Sequence, residues 1–338
     1  MAERQSVAQV QQIGREAVPG TPVPATKRLG SLSLSPGIST ETGMFRPSGL
    51  KFATVQALNQ EWVEGDLEGQ PTYDEVVYPL SGALGQPVSS AILDGANPTS
   101  AFQHVFTPSS SAADNPFTFT LEQGQEGVQA EQFSHILFTG FSLDISRSEV
   151  SMGGGFIGKK AATGFNPTDG LAIPADLRPI LPGHFSVYAA DTAAELDTGT
   201  KLLRVISAAP EVSDRYNPAW FVNAAEESFT TWTENADGPT AESGMTLEAD
   251  ANGMAYLDRL RSGETFFLRL EALGAELDAG VADTRLRFTW DMAVKAREVD
   301  TWSDEDGIWA IPFTFQMVHD PTWGKATQVT VVNTLAAL

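Results

Sequence analysis

The stretch of this chain that looks most like a chemical motif is Gly153-Gly154-Gly155-Phe156-Ile157-Gly158-Lys159-Lys160. It satisfies GxGxxG and misses GxxxxGK[ST] by one residue, with Lys160 standing where a Ser or Thr would hold magnesium. Both motifs bind phosphate only between a strand and a helix whose first amides point at the anion. Gly164 and Pro167 follow too soon for such a helix, and no strand–helix–strand pattern surrounds the segment. The residues read instead as a glycine-rich turn or bulged strand.

The remaining chemical candidates are weaker. His104, His135, His184 and His319 are scattered, with no HxH, HxxxH or HExxH spacing to suggest a local metal site. The chain has no cysteine, which removes Cys–zinc sites, iron–sulfur clusters, thiol catalysis and disulfides together. There is no GxSxG elbow. With 43 Asp and Glu, some pair falls at glycosidase distance by chance, so the sequence makes no specific case for that reaction. Asp250-Ala251-Asn252-Gly253 begins like a calcium loop but lacks the Glu at its twelfth position. That segment and Asp304-Glu305-Asp306-Gly307 both read better as solvated hairpin tips. Trp62 stands alone in the acidic run Glu61–Gly69, either as an anchor for a partner or as the centre of a local loop core. No catalytic residue, cofactor-binding residue or metal ligand is assigned, and no cofactor is expected. The expectation is a protein that is not an enzyme.

Charge narrows the partners. Residues 1–60 carry six basic and three acidic side chains, a balance of +3, whereas residues 61–150 hold thirteen carboxylates and one base, Arg147. Residues 151–338 hold twenty-seven carboxylates against fourteen bases, bringing the net charge to −22. A body this acidic does not neutralise phosphates, so tight nucleic-acid wrapping is not expected. Two readings of this division stay open: the charge serves solubility, or the basic leader lies on the acidic body of another copy. The leader also lacks the charged start and apolar core of a secretory signal, and Pro79, Pro87, Pro98 and Pro108 interrupt the longest uncharged stretches. A soluble protein made without export, with no membrane partner, is the expectation.

Two-residue alternation of apolar and polar side chains dominates the chain. It runs through Leu32 and Leu34, Phe117 to Leu121, Phe141 to Ile145, Phe266 to Leu270, Leu286 to Val294, and Trp309 to Met317. The fold is therefore expected to be mostly β, as an antiparallel sheet or barrel. Thr72-Tyr73-Asp74-Glu75 reads as a capping box opening one short helix, which Pro79 should end or kink; a weaker helix is indicated near Met254–Leu260. Pro19, Gly20, Pro22 and Pro24 favour an extended N-terminal arm. Long loops are expected at Gly37–Gly49, Ala91–Pro116, Gly153–Pro182 and Glu234–Gly244.

Several segments taken in order resemble the major tail (tail tube) proteins of long-tailed bacteriophages. They begin with the leader Gly14–Val23, the strand Ser31–Ser35, and Glu64–Gly69 running into the helix at Tyr73–Leu84. They continue with Phe138–Val150 and Gly158, Phe185–Tyr188, Arg261–Glu264 leading into Phe266–Gly274, Asp320–Ala326, and Val331–Asn333. The resemblance implies a β-sandwich or open barrel with a short flanking helix, long loops and extended terminal arms. It implies an arm over 1–30, a tail-tube β domain over 31–319 and a C-terminal arm over 320–338. Within that domain, residues 150–260 would be an elaboration or a second tube-like unit.

The implied function is a structural virion protein, made in the host cytoplasm, whose rings stack into the tail tube through which the genome is ejected. The implied partners are other copies in a ring, a hexamer by the family's habit, the tape measure protein in the lumen, and tail-tip and terminator proteins at the ends. Double-stranded DNA would pass through without specific binding. The candidate stacking elements are residues 1–30, the loop around Gly37–Gly69 and the tail Asp320–Leu338. Two other readings stay open: a β-sandwich carbohydrate-binding or glycan-hydrolysing module, and a tail terminator or decoration protein.

Overall fold

The structure, a computed structural model, describes residues 9–125, 130–222, 228–281 and 283–338. The first elements are β1 (Val10–Arg15), β2 (Lys27–Arg28), β3 (Leu32–Phe45), β4 (Val55–Gly69) and helix α1 (Val77–Ala83). Next come β5 (Val88–Asp94), β6 (Asn97–Phe106), β7 (Phe119–Gly124), β8 (Ala130–Phe138), β9 (Phe141–Ile145), β10 (Val150–Gly158) and β11 (Ala162–Phe165). A segment without strands leads to β12 (Phe185–Ala190), β13 (Thr200–Leu202), β14 (Val205–Ser213), β15 (Tyr216–Ala219), β16 (Thr231–Glu234) and β17 (Thr240–Glu248). Helix α2 (Ala251–Ser262) precedes β18 (Phe266–Glu276), β19 (Arg285–Val299), β20 (Ser303–Glu305), β21 (Ile308–Met317) and β22 (Thr327–Asn333). The protein is mainly β, 54% strand against 8% helix, and twenty strands join in one antiparallel hydrogen-bonded network.

Two strands branch that network. β19 pairs with β18 on one side; on the other it gives Arg287–Met292 to β22 and Val294–Val299 to β21. From β22 the pairing runs to β6 and β5, and from β18 to β12 and β13. From β21 it runs through β17, β14 and β9 to β10, then to β4 and β3. β10 divides in the same way, taking β4 on one side and β9, then β8, on the other. Beyond β8 lie β11 and, by way of β7, β1 and β2.

The motif-like glycines explain how β10 fits there. A Cβ on Gly154 would lie 2.3 Å from the Gly140 carbonyl oxygen, and one on Gly155 would lie 3.0 Å from Thr139 Oγ1. Close backbone approach, not phosphate, is what these glycines serve.

Alternation predicts the core well. Leu286, Phe288, Trp290, Met292 and Val294 are all buried along β19, and one cluster joins them to Leu32, Leu34, Phe141, Leu143, Phe266, Phe313 and Phe315. At β7, however, Thr120 and Glu122, with Thr118 just before the strand, are as buried as Phe119 and Leu121. β1 lies beside β7 in the sheet, and the face is covered by the leader after β1 and by Thr168: Glu16 accepts from Thr118 Oγ1, Thr120 Oγ1 and the His135 amide, and Glu122 accepts from the Ala25 and Thr168 amides.

Every residue of α1 is buried. Pro79 neither ends nor kinks it, because it sits in the first turn, where no intrahelical amide is needed. The Thr72 hydroxyl accepts the Glu75 amide, but this bond closes a turn ahead of the helix, whose N-cap is Val76 with no side-chain cap, so the expected capping box does not open α1. The buried Glu75 carboxylate instead accepts the amides of Gly30, Ser31 and Leu32. The second helix forms, and is longer than Met254–Leu260.

The loop expectations need correction. Gly37–Phe45 is strand, and Pro36 is tolerated because β3 pairs only with β4; no strand of the described residues lies along its other edge, where the Leu32 and Leu34 amides are taken by the Glu75 and Gln11 side chains. Ala91–Phe106 is mostly the β5–β6 hairpin, Gly153–Gly158 lies in β10, and Thr240–Gly244 lies in β17. Nor do the termini form arms in the described residues. Val10–Arg15 pairs along its length with β7, and Ile13 is buried. Residues 320–338 contain β22, which is sandwiched between β19 and β6, while Trp323 packs edge-on against Phe267. Residues 1–8 of the expected N-terminal arm lie outside the described part.

Candidate assembly surface

The most unusual surface is the hairpin made by β3 and β4. Its root is firmly held: Leu32, Leu34, Val63 and Leu67 are buried, and β4 pairs with β10 from Gly69 to Val63. Gly65 permits that packing, since a Cβ there would lie 2.2 Å from the Ser35 carbonyl oxygen and 2.8 Å from the Phe156 ring. At the edge of the root, Glu64 accepts hydrogen bonds from Ser39 Oγ at 2.7 Å and Trp62 Nε1 at 3.3 Å.

Past Val63 the hairpin runs on with no other strand of the described residues beside it. From Gly37 to Trp62 no residue is buried, and the two strands pair only with each other out to Phe45 and Val55. At about 3.4 Å per residue the free part reaches roughly 20 Å beyond its support. The register shifts between Glu41 and Thr42, leaving Asn59 as the extra residue of a bulge, which increases local twist. A lone two-stranded ribbon is marginal in water.

This ribbon nevertheless displays Ile38, Met44, Phe45, Leu50, Phe52, Val55 and Leu58 to solvent, with Met44 70% and Phe52 81% exposed. Burying half of these against a partner would contribute on the order of 5 kcal/mol. Between residues 42 and 60 the only charged side chains are Arg46 and Lys51, so the tip is cationic on an otherwise acidic molecule.

Further edges are left open. β5 pairs only with β6 and is exposed along nearly all its length, with Val88 and Leu93 in solvent. β13 pairs only with β12. Such edges are pairing templates unless something covers them.

The residues singled out in the sequence disperse. His104 is buried and hydrogen-bonded to Ser89, Asn333 and the Leu335 carbonyl. His184 meets the Tyr73 hydroxyl at 3.1 Å. His135 sits at a bulge of β8 with φ 57°; neither ring nitrogen has a partner, and its ring lies 5.1 Å from that of Phe229. Burial, with Lys159 nearby, holds its pKa down at about 4. Among the described residues no three His, Asp or Glu side chains converge on a point where a metal ion could sit.

Asp250 is not at a hairpin tip: it precedes α2 and accepts the Gly253 amide at 2.8 Å. Asp304–Gly307 is a hairpin turn as expected, with Asp306 and Gly307 both at positive φ. Trp62 belongs to a small local core, edge-on to Trp220 at 5.7 Å beside Tyr216 and Phe229.

Of the three stacking segments expected from sequence, only the one around Gly37–Gly69 offers a free surface of this size among the described residues, and it is a hairpin rather than a loop. The described part of the leader is engaged in its own chain rather than free for another copy. Arg15 donates to the Leu338 carbonyl and lies over Phe117, and Gln12 donates to Glu122. Proline and glycine in the leader were a misleading signal, because the backbone amides around them are satisfied by Glu16 and Glu122.

No protein-family model and no curated protein matches the chain.

Proposed function

We infer that the protein is a structural subunit that self-assembles, and specifically a tail-tube protein of a long-tailed bacteriophage. The observation that carries this reading is the β3–β4 hairpin, whose free part holds seven large apolar side chains outside its own fold. A ribbon of that kind is stabilised only once another surface covers it.

Other features support it. The branched antiparallel network packs around one main core with the buried helix α1 at its side, as a tube-type sandwich or open barrel requires. The open edges of β3, β5 and β13 suit ring closure, in which each copy covers its neighbour's edges. An interface that closes into a ring and also stacks makes a tube. An acidic lumen would let DNA slide by repelling its phosphates. In this reading the copies form a ring, proposed as a hexamer, stacked around a tape measure protein. Tail-tip and terminator proteins meet the ends, and the place of action is the virion.

Sedimentation velocity over a concentration series tests the reading. A ring-sized species that grows into multiples of itself supports it; a monomer across the whole series, including at high salt and with added tail-tip seeds, contradicts it. A carbohydrate-binding module is the second reading, favoured by one observation: Trp302 and Trp309 form an exposed aromatic pair.

A further inference from the structure

The exposed tryptophan pair and the exposed hairpin are chemical complements. Trp302 precedes β20 and Trp309 lies in β21; they are 45% and 62% exposed, edge-to-face with centroids 6.3 Å apart. Large aromatic side chains left in water at a hairpin end are costly unless something covers them. Around them the segment 298–306 carries five carboxylates, Glu298, Asp300, Asp304, Glu305 and Asp306, and no base. Only Asp306, paired with Arg147, and Glu298, near Arg297, have a basic partner among the ion pairs of the described residues.

The hairpin tip carries the opposite set: Arg46 and Lys51 amid Met44, Phe45, Leu50 and Phe52, with no carboxylate between residues 42 and 60. Aromatic faces attract cations, and nearby carboxylates strengthen the attraction. Trp302 and Trp309 remain exposed within their own subunit, which leaves their surface open to a second copy.

We propose that the β3–β4 tip of one copy docks on the Trp302–Trp309 hairpin of a second copy. This rests on the self-assembly reading and names the surface that receives the hairpin. Arg46 and Lys51 face the carboxylates and indole rings, and Phe45 and Phe52 cover the rest of the tryptophan surface. Because the donor and acceptor patches differ, the contact is heterologous and repeats from copy to copy.

The absence of cysteine from the chain makes the test direct. Ser48→Cys is placed at the tip of one batch and Thr301→Cys beside Trp302 in another, and the two full-length proteins are mixed and oxidised. A covalent Ser48→Cys/Thr301→Cys dimer is expected in the mixture. Its yield should fall at least tenfold when the first batch also carries Arg46→Glu and Lys51→Glu, and at least tenfold in 1 M salt, where the Debye length shrinks to about 3 Å. Asp300→Lys with Glu305→Lys in the second batch should restore the charge-reversed pair. Circular dichroism confirms that each variant is folded.

Sedimentation of the unmodified protein separates the two claims. Oligomers without the crosslink, or with a crosslink indifferent to charge reversal, overturn the docking and leave self-assembly standing. A monomer without the crosslink overturns both. A change in Trp302 and Trp309 fluorescence on adding cellohexaose, with no crosslink, assigns the surface to a glycan and overturns the docking.

Discussion

Phe45 and Val55 form the last cross-strand pair of the β3–β4 hairpin, just beyond which the Thr54 amide donates to the Phe45 carbonyl, and both stand more than half exposed. A pair of this kind in a sheet interior would hold the fold together. Here it supports nothing in its own subunit.

That position separates folding from assembly. Phe45→Ser with Val55→Thr should leave the unfolding midpoint of the isolated subunit nearly unchanged, within about 0.5 kcal/mol, as for other surface substitutions. The concentration needed for assembly should rise at least tenfold. Urea denaturation paired with sedimentation checks both halves, and a large loss of subunit stability would show that the pair serves the fold.

Glu75 should behave in the opposite way. Its buried carboxylate accepts from Ser31 Oγ at 2.7 Å and from the amides of Gly30, Ser31 and Leu32, so it ties α1 to the start of β3. Glu75→Ala strands these donors out of reach of water and should cost at least about 3 kcal/mol in denaturant unfolding. A loss below about 1 kcal/mol would mean that water replaces the carboxylate.

His135 gives a pH signature. Its folded pKa, about 4, lies below the ordinary 6.5, so the unfolded chain takes up the proton first. Its neutral form is fully accommodated above pH 6.5, and stability falls as the pH drops from there to about 4, by roughly 3 kcal/mol. Asp74 and Asp291, raised by burial, act in the opposite sense, so the comparison must be with His135→Asn, which tolerates positive φ. The variant should lose most of the slope between pH 6.5 and 4, measured by chemical denaturation; an unchanged slope would show that His135 does not titrate in this range.

Removing residues 1–24 should damage the fold itself rather than assembly alone. The deletion takes away β1, the buried Ile13 and the Glu16 carboxylate that serves Thr118, Thr120 and His135. Loss of a cooperative unfolding transition is expected. A cooperatively folded truncation that fails only to assemble would restore the leader to the role of an arm.

Much of this fold is legible in the sequence because burial follows strand period. The run Leu286–Val294 reads directly as one core face, and the helix α1 is legible too, although Thr72 closes the turn before it rather than capping it. Legibility fails where two faces are buried at once, as in β7, where Thr120 and Glu122 look solvent-facing until Glu16 and Ala25 of the leader and Thr168 cover them. It fails again where glycine and proline sit inside strands, since Pro36 on an open edge and Gly154 under Gly140 look like loop residues when read alone. The hairpin was visible as a stacking candidate by resemblance, but its strand character was hidden by Gly37, Gly43 and Gly49. The acceptor surface had only a faint signal: Trp309 opens an alternating run and reads as core, whereas the structure leaves it in solvent.

Negative-stain electron microscopy of the purified protein, over a concentration series with tail-tip seeds added, tests the central claim most directly. Hollow rings stacked into tubes of constant diameter are the predicted result. Single particles of subunit size in every condition, seeds included, would contradict it.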